Sequence, residues 1–296
     1  MSTDKHMLSP FTLPNGTALK NRLLMAPMTT CTGYFDGTVT EELVEYYRVR
    51  AGSIGTIVVE CCFIDDLGLA FPGAIGIDTD EKIAGLAKIA SAIKAEGSRA
   101  LLQIYHGGRM VDPKLIGGRT PVGPSALAAP RDGAATPRGL TTEEVAGMVT
   151  KFGDAVRRAI QAGFDGVEIH GANTYLIQQF YSPNSNQRDD EWGGSRDNRA
   201  KFPLAVLDIT HSDGAPVRRR RVHHRYRFSP EELEVPGIRF DDTMYLLEKL
   251  AARRSGLPAL LPGLLACVRR STTPVTRRRL STNTVQCVPT RWRRSR

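Results

Sequence analysis

The chain has 296 residues, 41% of them apolar, enough for one large domain or two small ones. No apolar run approaches the roughly 18 residues of a membrane span, and the start MSTDKHMLSP lacks the apolar core of a signal peptide. The net charge of +9 is unevenly placed: residues 211–296 hold 19 Lys/Arg against 7 Asp/Glu, whereas residues 1–210 hold 21 against 24. Basicity therefore belongs to the C-terminal third and describes no nucleic-acid-binding face in the rest. Five cysteines with no CxxC pair imply reduced thiols in a cytoplasmic protein and no metal site.

Phe11 to Arg22 places Asn15-Gly16 between two short extended runs, a hairpin signal. Asn21 to Met28 then reads as a strand. Thr40 to Ala51 has helical spacing with Thr40 as N-cap. Thr56 to Phe63 (TIVVECCF) is apolar enough to be covered on both faces, with Glu60 and Cys61 towards its end. The adjacent Cys61 and Cys62 read as buried filler rather than a redox pair. A helix is expected over Asp80–Glu96 and a strand over Ala100–His106, in which Gln103 is the one amide. Residues 107–140 are rich in Pro and Gly and lack periodicity, and a loop of that length in a compact domain is usually functional. Thr141 opens a further helix that runs to Ala162, with acids in its first turn.

The strand Gly166–His170 (GVEIH) follows, then a loop rich in Asn, Gly and Pro, then a helix from Ser195 to about Ile209. Four strands each followed by a helix indicate a parallel α/β architecture. At the end of the fourth strand stand His170, Asn173 and Tyr175. An imidazole, an amide and a phenol within six residues can bind an oxygen and deliver a proton. A satisfied histidine beside a solvated loop would leave the same pattern.

The flanking text narrows this. GVEIHGANTYLIQQFYSPNSNQRDDEWGGSRDNRAKF closely resembles the signature of the old yellow enzyme family, the FMN-dependent NADH:flavin oxidoreductases and ene-reductases. APMT (Ala26, Pro27, Met28, Thr29), HGGR after Gln103, and YRFSPEE with Arg227 match further family words; YRFSPEE looks like the end of a fifth strand, and DDTMYLLEKLAAR after it is an amphipathic helix. The resemblance covers about residues 8–210 and 226–253. It implies a (β/α)8 TIM barrel, here with about five of its eight βα units, with the hairpin closing the bottom. It implies FMN contacts from Ala26, Pro27, Met28 and Thr29, Cys61, Gln103, His170 and Arg227, with Thr29 beside the flavin C4 oxygen and Arg227 near N1 and O2. It implies NADH or NADPH as hydride donor and an electron-poor alkene or other small-molecule acceptor. His170 and Asn173 would hold the acceptor's carbonyl oxygen and Tyr175 would protonate its α-carbon.

Two stretches break the pattern. Residues 211–225 carry four consecutive arginines without strand or helix periodicity, and the text from Arg254 onward dissolves into Arg, Pro, Ser and Thr. Both are expected to reflect shifted reading frames, leaving a partial barrel domain at 1–253 and a basic tail at 254–296. The phosphate-holding ends of strands 7 and 8 are not legible, so weak FMN binding and poor or no activity are expected. A non-catalytic fragment with a nucleic-acid-binding tail and a flavin-free barrel isomerase are the alternatives. A membrane partner is not expected, and self-association is left open.

Overall fold

In the computed structural model, the described residues are 6–13, 16–211, 223–253 and 265–266. The expected unit at 254–296 lies outside them except for Leu265–Ala266, as does most of 211–225. Strands β1 (Phe11–Thr12) and β2 (Ala18–Leu19) form the anticipated hairpin, with Phe11 opposite Leu19. It packs at the N-terminal ends of later strands: the Thr17 hydroxyl lies 3.0 Å from His223 Nε2, and the Arg99 guanidinium donates to the Ala18 carbonyl at 3.4 Å.

The next strand is shorter than Asn21–Met28. Only Leu24–Met25 (β3) pairs, because Asn21 turns its Oδ1 to the Leu23 N–H and its Nδ2 to the Ser53 carbonyl, while Pro27 has no N–H to offer. Helix α1 (Glu41–Ala51) is capped by Thr40, whose hydroxyl accepts from Leu43 N at 3.2 Å. Strand β4 (Thr56–Phe63) is buried along its whole length. The Asp80–Glu96 helix begins as one 3₁₀ turn, Asp80–Lys82, and continues as α2 (Ile83–Ala95). Strand β5 (Arg99–Tyr105) follows. The 107–140 loop contains two 3₁₀ turns and a two-residue pairing of β6 (Val122–Gly123) with β7 (Arg138–Gly139).

Helix α3 (Thr142–Gln161) starts with a capping box. Glu144 N donates to the Thr141 hydroxyl at 3.2 Å and Thr141 N to the Glu144 carboxylate at 2.8 Å. Its stripe Val145, Met148, Phe152, Ala155, Val156 and Ala159 is buried at helical spacing. Strand β8 (Gly166–Gly171), the short helix α4 (Leu176–Tyr181) and helix α5 (Arg196–His211) complete the signature region. Strand β9 is His223–Phe228 and helix α6 is Phe240–Arg253.

The end of a fifth strand expected at Tyr226–Phe228 is present, but the strand already begins at His223, which corrects the expectation that 211–225 lacks strand character up to its last residue. Composition hid this start because the strand's arginines face the interior while Tyr226 and Phe228 face the helices. A two-residue strand β10 (Leu265–Ala266), not anticipated, pairs with Arg227 and Phe228.

The order β10-β9-β8-β5-β4-β3 is parallel throughout, with helices between successive strands, so five βα units form part of a barrel wall. The core lies between strands and helices. Ile57, Val59, Leu102, Ile104, Val167 and Ile169 meet Leu43, Leu86, Ile89, Phe152 and Phe202 there. Each such side chain contributes about 1.5–3 kcal/mol on burial. Among the described residues no helix is long and apolar enough to cross a membrane.

Candidate active site

Strand alternation decides which side chains reach the interior face. A register shift between Val59 and Cys61 makes Glu60 the extra residue of a bulge, and re-aims Cys61 and Phe63 inward. Cys62 turns outward into the main core, so the two cysteines lie on opposite faces and both are free. Cys61 pairs in register with Gln103, Gln103 with Glu168, and Glu168 with Arg225, which makes one polar interior layer across four strands. Gln103 Nε2 donates to Glu168 Oε1 at 2.8 Å, and Arg225 Nε lies 3.5 Å from Glu168 Oε2. One step towards the C-terminal end, His170 pairs with Arg227. Gln103 is thus a bonded amide whose neighbours are ionisable.

Burial governs the electrostatics here. It raises the Glu168 carboxyl above the ordinary range despite the opposing pull of Arg225 and Arg227. It pushes the Cys61 thiol up to about 12, so that sulfur is a neutral thiol, 3.3 Å from the Thr29 hydroxyl. His170 is held down to about 3, first by burial and then by the Arg227 charge. It is therefore a neutral imidazole, able to donate a hydrogen bond without adding charge. Its Nδ1 and the Nε of Arg227 are buried and have no hydrogen-bond partner among the described residues.

Tyr175 packs edge-on against His170, with ring centroids 4.9 Å apart at 83°, and also against Tyr105 at 5.3 Å and Phe71 at 6.2 Å. Asn173 and Thr174 both have left-handed backbones, with φ of 57° and 65°. The Asn173 N–H donates to the Ser229 hydroxyl at 3.0 Å, tying this turn to the segment after β9. Glu60, fully buried, accepts from Thr30 N at 3.1 Å and from the Tyr47 hydroxyl at 3.4 Å. Of the APMT residues, Met28 is exposed while Ala26, Pro27 and Thr29 are half-buried at the end of the first strand.

The structure thus brings Thr29, Cys61, Gln103, His170, Tyr175 and Arg227 to one interior face and its C-terminal rim. Sequence reasoning missed Glu168, Arg225, Tyr105 and the two glutamines of α4. Glu168 was visible as a lone carboxylate in an apolar strand. Arg225 would follow from period-two parity with Arg227 once β9 was recognised.

A partial parallel barrel with a polar interior layer and a His/Asn/Tyr group on its C-terminal rim is the frame of a barrel oxidoreductase. The chain belongs to the NADH:flavin oxidoreductase / NADH oxidase family, which it matches over residues 6–282. It is 81% identical over 253 residues to the NADH:fumarate oxidoreductase of Klebsiella pneumoniae (strain 342), covering 86% of this chain and 27% of that protein. It is 58% identical over 237 residues to the NADH:acrylate oxidoreductase of Vibrio harveyi, covering 80% and 24%. The chain spans about a quarter of the length of these two relatives. Among solved structures, morphinone reductase in complex with tetrahydroNAD superposes with a TM-score of 0.73 at 32% identity, covering 83% of this chain and 71% of that one. FMN and a nicotinamide are the cofactors of this family. These likenesses favour neither the nucleic-acid-binding fragment nor the flavin-free isomerase.

Proposed function

We propose that residues 1–253 carry the FMN face and the nicotinamide-binding rim of an NAD(P)H-dependent oxidoreductase that reduces an electron-poor alkene. One observation carries this. Interior polar side chains from four strands converge beneath the rim, and two of their buried nitrogens, His170 Nδ1 and Arg227 Nε, have no partner among the described residues. Buried polar atoms are rarely orphaned, so these two nitrogens suit a bound group that brings its own hydrogen-bonding atoms. Thr29, Cys61, Gln103 and Arg227, with the Ala26-Pro27-Met28 backbone, would hold its ring. When bound, FMN supplies the hydride relay between nicotinamide and acceptor.

The chain's own residues do the rest. His170 and Asn173 hold the acceptor's carbonyl oxygen, and their hydrogen bonds strengthen as negative charge grows on it. Tyr175, wedged by Tyr105 and Phe71, protonates the α-carbon. The left-handed Asn173–Thr174 turn sets the directions of both side chains.

The short coverage of the fumarate and acrylate relatives favours a second reading, in which this unit oxidises NADH and a different unit meets the acid. The test is the visible spectrum of the purified chain after FMN addition and desalting, followed by anaerobic NADH and then acrylate or an enone. Retained flavin bleached by NADH supports the proposal, and reoxidation by acrylate or an enone decides against the second reading. A chain that takes up no flavin at any concentration overturns it.

A further inference from the structure

Helix α4 is buried at every position, yet it carries two consecutive amides, Gln178 and Gln179, 3% and 1% exposed. Buried amides are tolerated when bonded, and the partner these two share is Thr174. Gln178 Oε1 accepts from Thr174 N at 2.9 Å, and Gln179 Nε2 donates to Thr174 O at 2.7 Å. Thr174 is a β-branched residue at positive φ, a backbone state that persists only where the surroundings over-determine it. It separates Asn173 from Tyr175.

We propose that Gln178 and Gln179 are positioning residues, a two-sided amide clamp that holds Thr174 left-handed and thereby aims Asn173 and Tyr175 over the site. This rests on the roles given to Asn173 and Tyr175 above. The clamp is itself anchored on both flanks. Gln178 Nε2 donates to Glu232 Oε1 at 2.7 Å, and Glu232 Oε2 accepts from Ser182 Oγ at 2.5 Å and Ile238 N at 2.9 Å. Gln179 Oε1 accepts from Arg109 N at 3.0 Å, while its Nε2 also reaches the Gly107 carbonyl at 3.1 Å. The second glycine of HGGR is explained by the same contact: a Cβ on Gly108 would collide with the Gln179 carboxamide. A glutamine at the third position of the helix ordinarily reaches back to its own cap. Here Gln178 reaches one residue further, to the turn that bears the site.

The test uses the full chain, isotopically labelled, with FMN added, and compares Gln178→Met, Gln179→Met, Asn173→Ala and Ser185→Ala. The last removes a buried hydrogen bond to the α4 backbone, at 2.8 Å from Gln179 O, without touching the turn. The Thr174 amide–Hα coupling, read together with the one-bond Cα–Hα coupling that separates positive from negative φ, reports the left-handed state, and titration with tetrahydroNAD reads the site. The expected result is loss of the left-handed coupling in both glutamine variants with about tenfold weaker tetrahydroNAD binding, while Ser185→Ala lowers the melting temperature but moves neither readout. A left-handed Thr174 retained in both glutamine variants overturns the clamp. If Asn173→Ala leaves binding unchanged, the role of Asn173 fails, and the coupling still judges the clamp. Should a Met variant not fold, Gln179→Asn keeps an amide in the helix but withdraws it by one methylene from Thr174 O, so its coupling gives the same decision.

Discussion

Stability should fall steeply as pH drops below about 6.5, and two buried histidines should account for most of the fall. His170 and His106 are 3% and 1% exposed, and are held down to about 3 and about 4. For His106, burial outweighs the attraction of Asp65 3.9 Å away, because Lys151 ion-pairs with the same carboxylate. The unfolded chain binds a proton on each imidazole near the ordinary histidine value of 6.5, whereas the folded chain does not until pH reaches 4 or 3. Between those limits the unfolded state holds more protons, so the contribution is complete above pH 6.5 and declines as pH falls. Each histidine then removes about 1.4 kcal/mol per pH unit, or about 4 kcal/mol for the pair between pH 6.5 and 5. Glu60 and Glu168, both raised by burial, take up protons in the folded state and offset part of this at the acid end. Urea unfolding followed by circular dichroism from pH 7.5 to 5 measures the slope, and His170→Gln should roughly halve it. A stability that stays flat over this range, or a slope unchanged in His170→Gln, would refute the reasoning.

Other outcomes follow from the same geometry. Tyr175→Phe should reduce alkene reduction about 100-fold or more while leaving the rate of NADH oxidation nearly unchanged, as expected for loss of a proton donor alone; stopped-flow measurement of the two half-reactions separates them. Thr141→Ala removes the hydroxyl half of the α3 capping box and should lower stability by about 1 kcal/mol in urea unfolding. Arg188 donates to the Pro124 carbonyl at 2.9 Å and to that of Leu140, and is fixed by Asp190 at 2.5 Å. Arg188→Met should therefore loosen the long loop, read as faster proteolytic cleavage within 107–140 at little change in melting temperature. Arg227→Met should raise the His170 pKa, since that guanidinium adds to the depression, and the imidazole NMR titration reports it.

Elements whose periodicity and local chemistry agree were legible to within a residue or two. TIVVECCF shows eight residues with no place for water, and Thr141-Thr142-Glu143-Glu144 announces both a cap and its reciprocal acid. Two kinds of feature were not. The first is an interior that is polar by design: β9 reads HHRYRF, and its first half, His223–Arg225, reads by composition as part of a basic loop, yet Arg225 and Arg227 point where Glu168 and His170 await them. A strand whose inner face is polar inverts the usual rule that buried means apolar, so pattern reading places its start too late. The second is a helix without periodicity. Leu176–Tyr181 is buried all round, and no amphipathic stripe marks it inside a loop-like signature.

The same two features explain each other physically. A polar lumen can be kept only if its side chains are held against one another or against a bound group, and both situations occur here. Glu168 is bonded by Gln103 and faces Arg225, whereas two residues further along each strand His170 Nδ1 and Arg227 Nε have no partner among the described residues. That contrast along the strand axis marks the depth at which the protein's own network stops and a ligand's acceptors would begin. The irregular α4 turn sits at this same level, with two amides spent on a single strained peptide. Local rules are broken where the interior must meet something other than itself, and β8 with the turn after it is where this chain breaks the most of them.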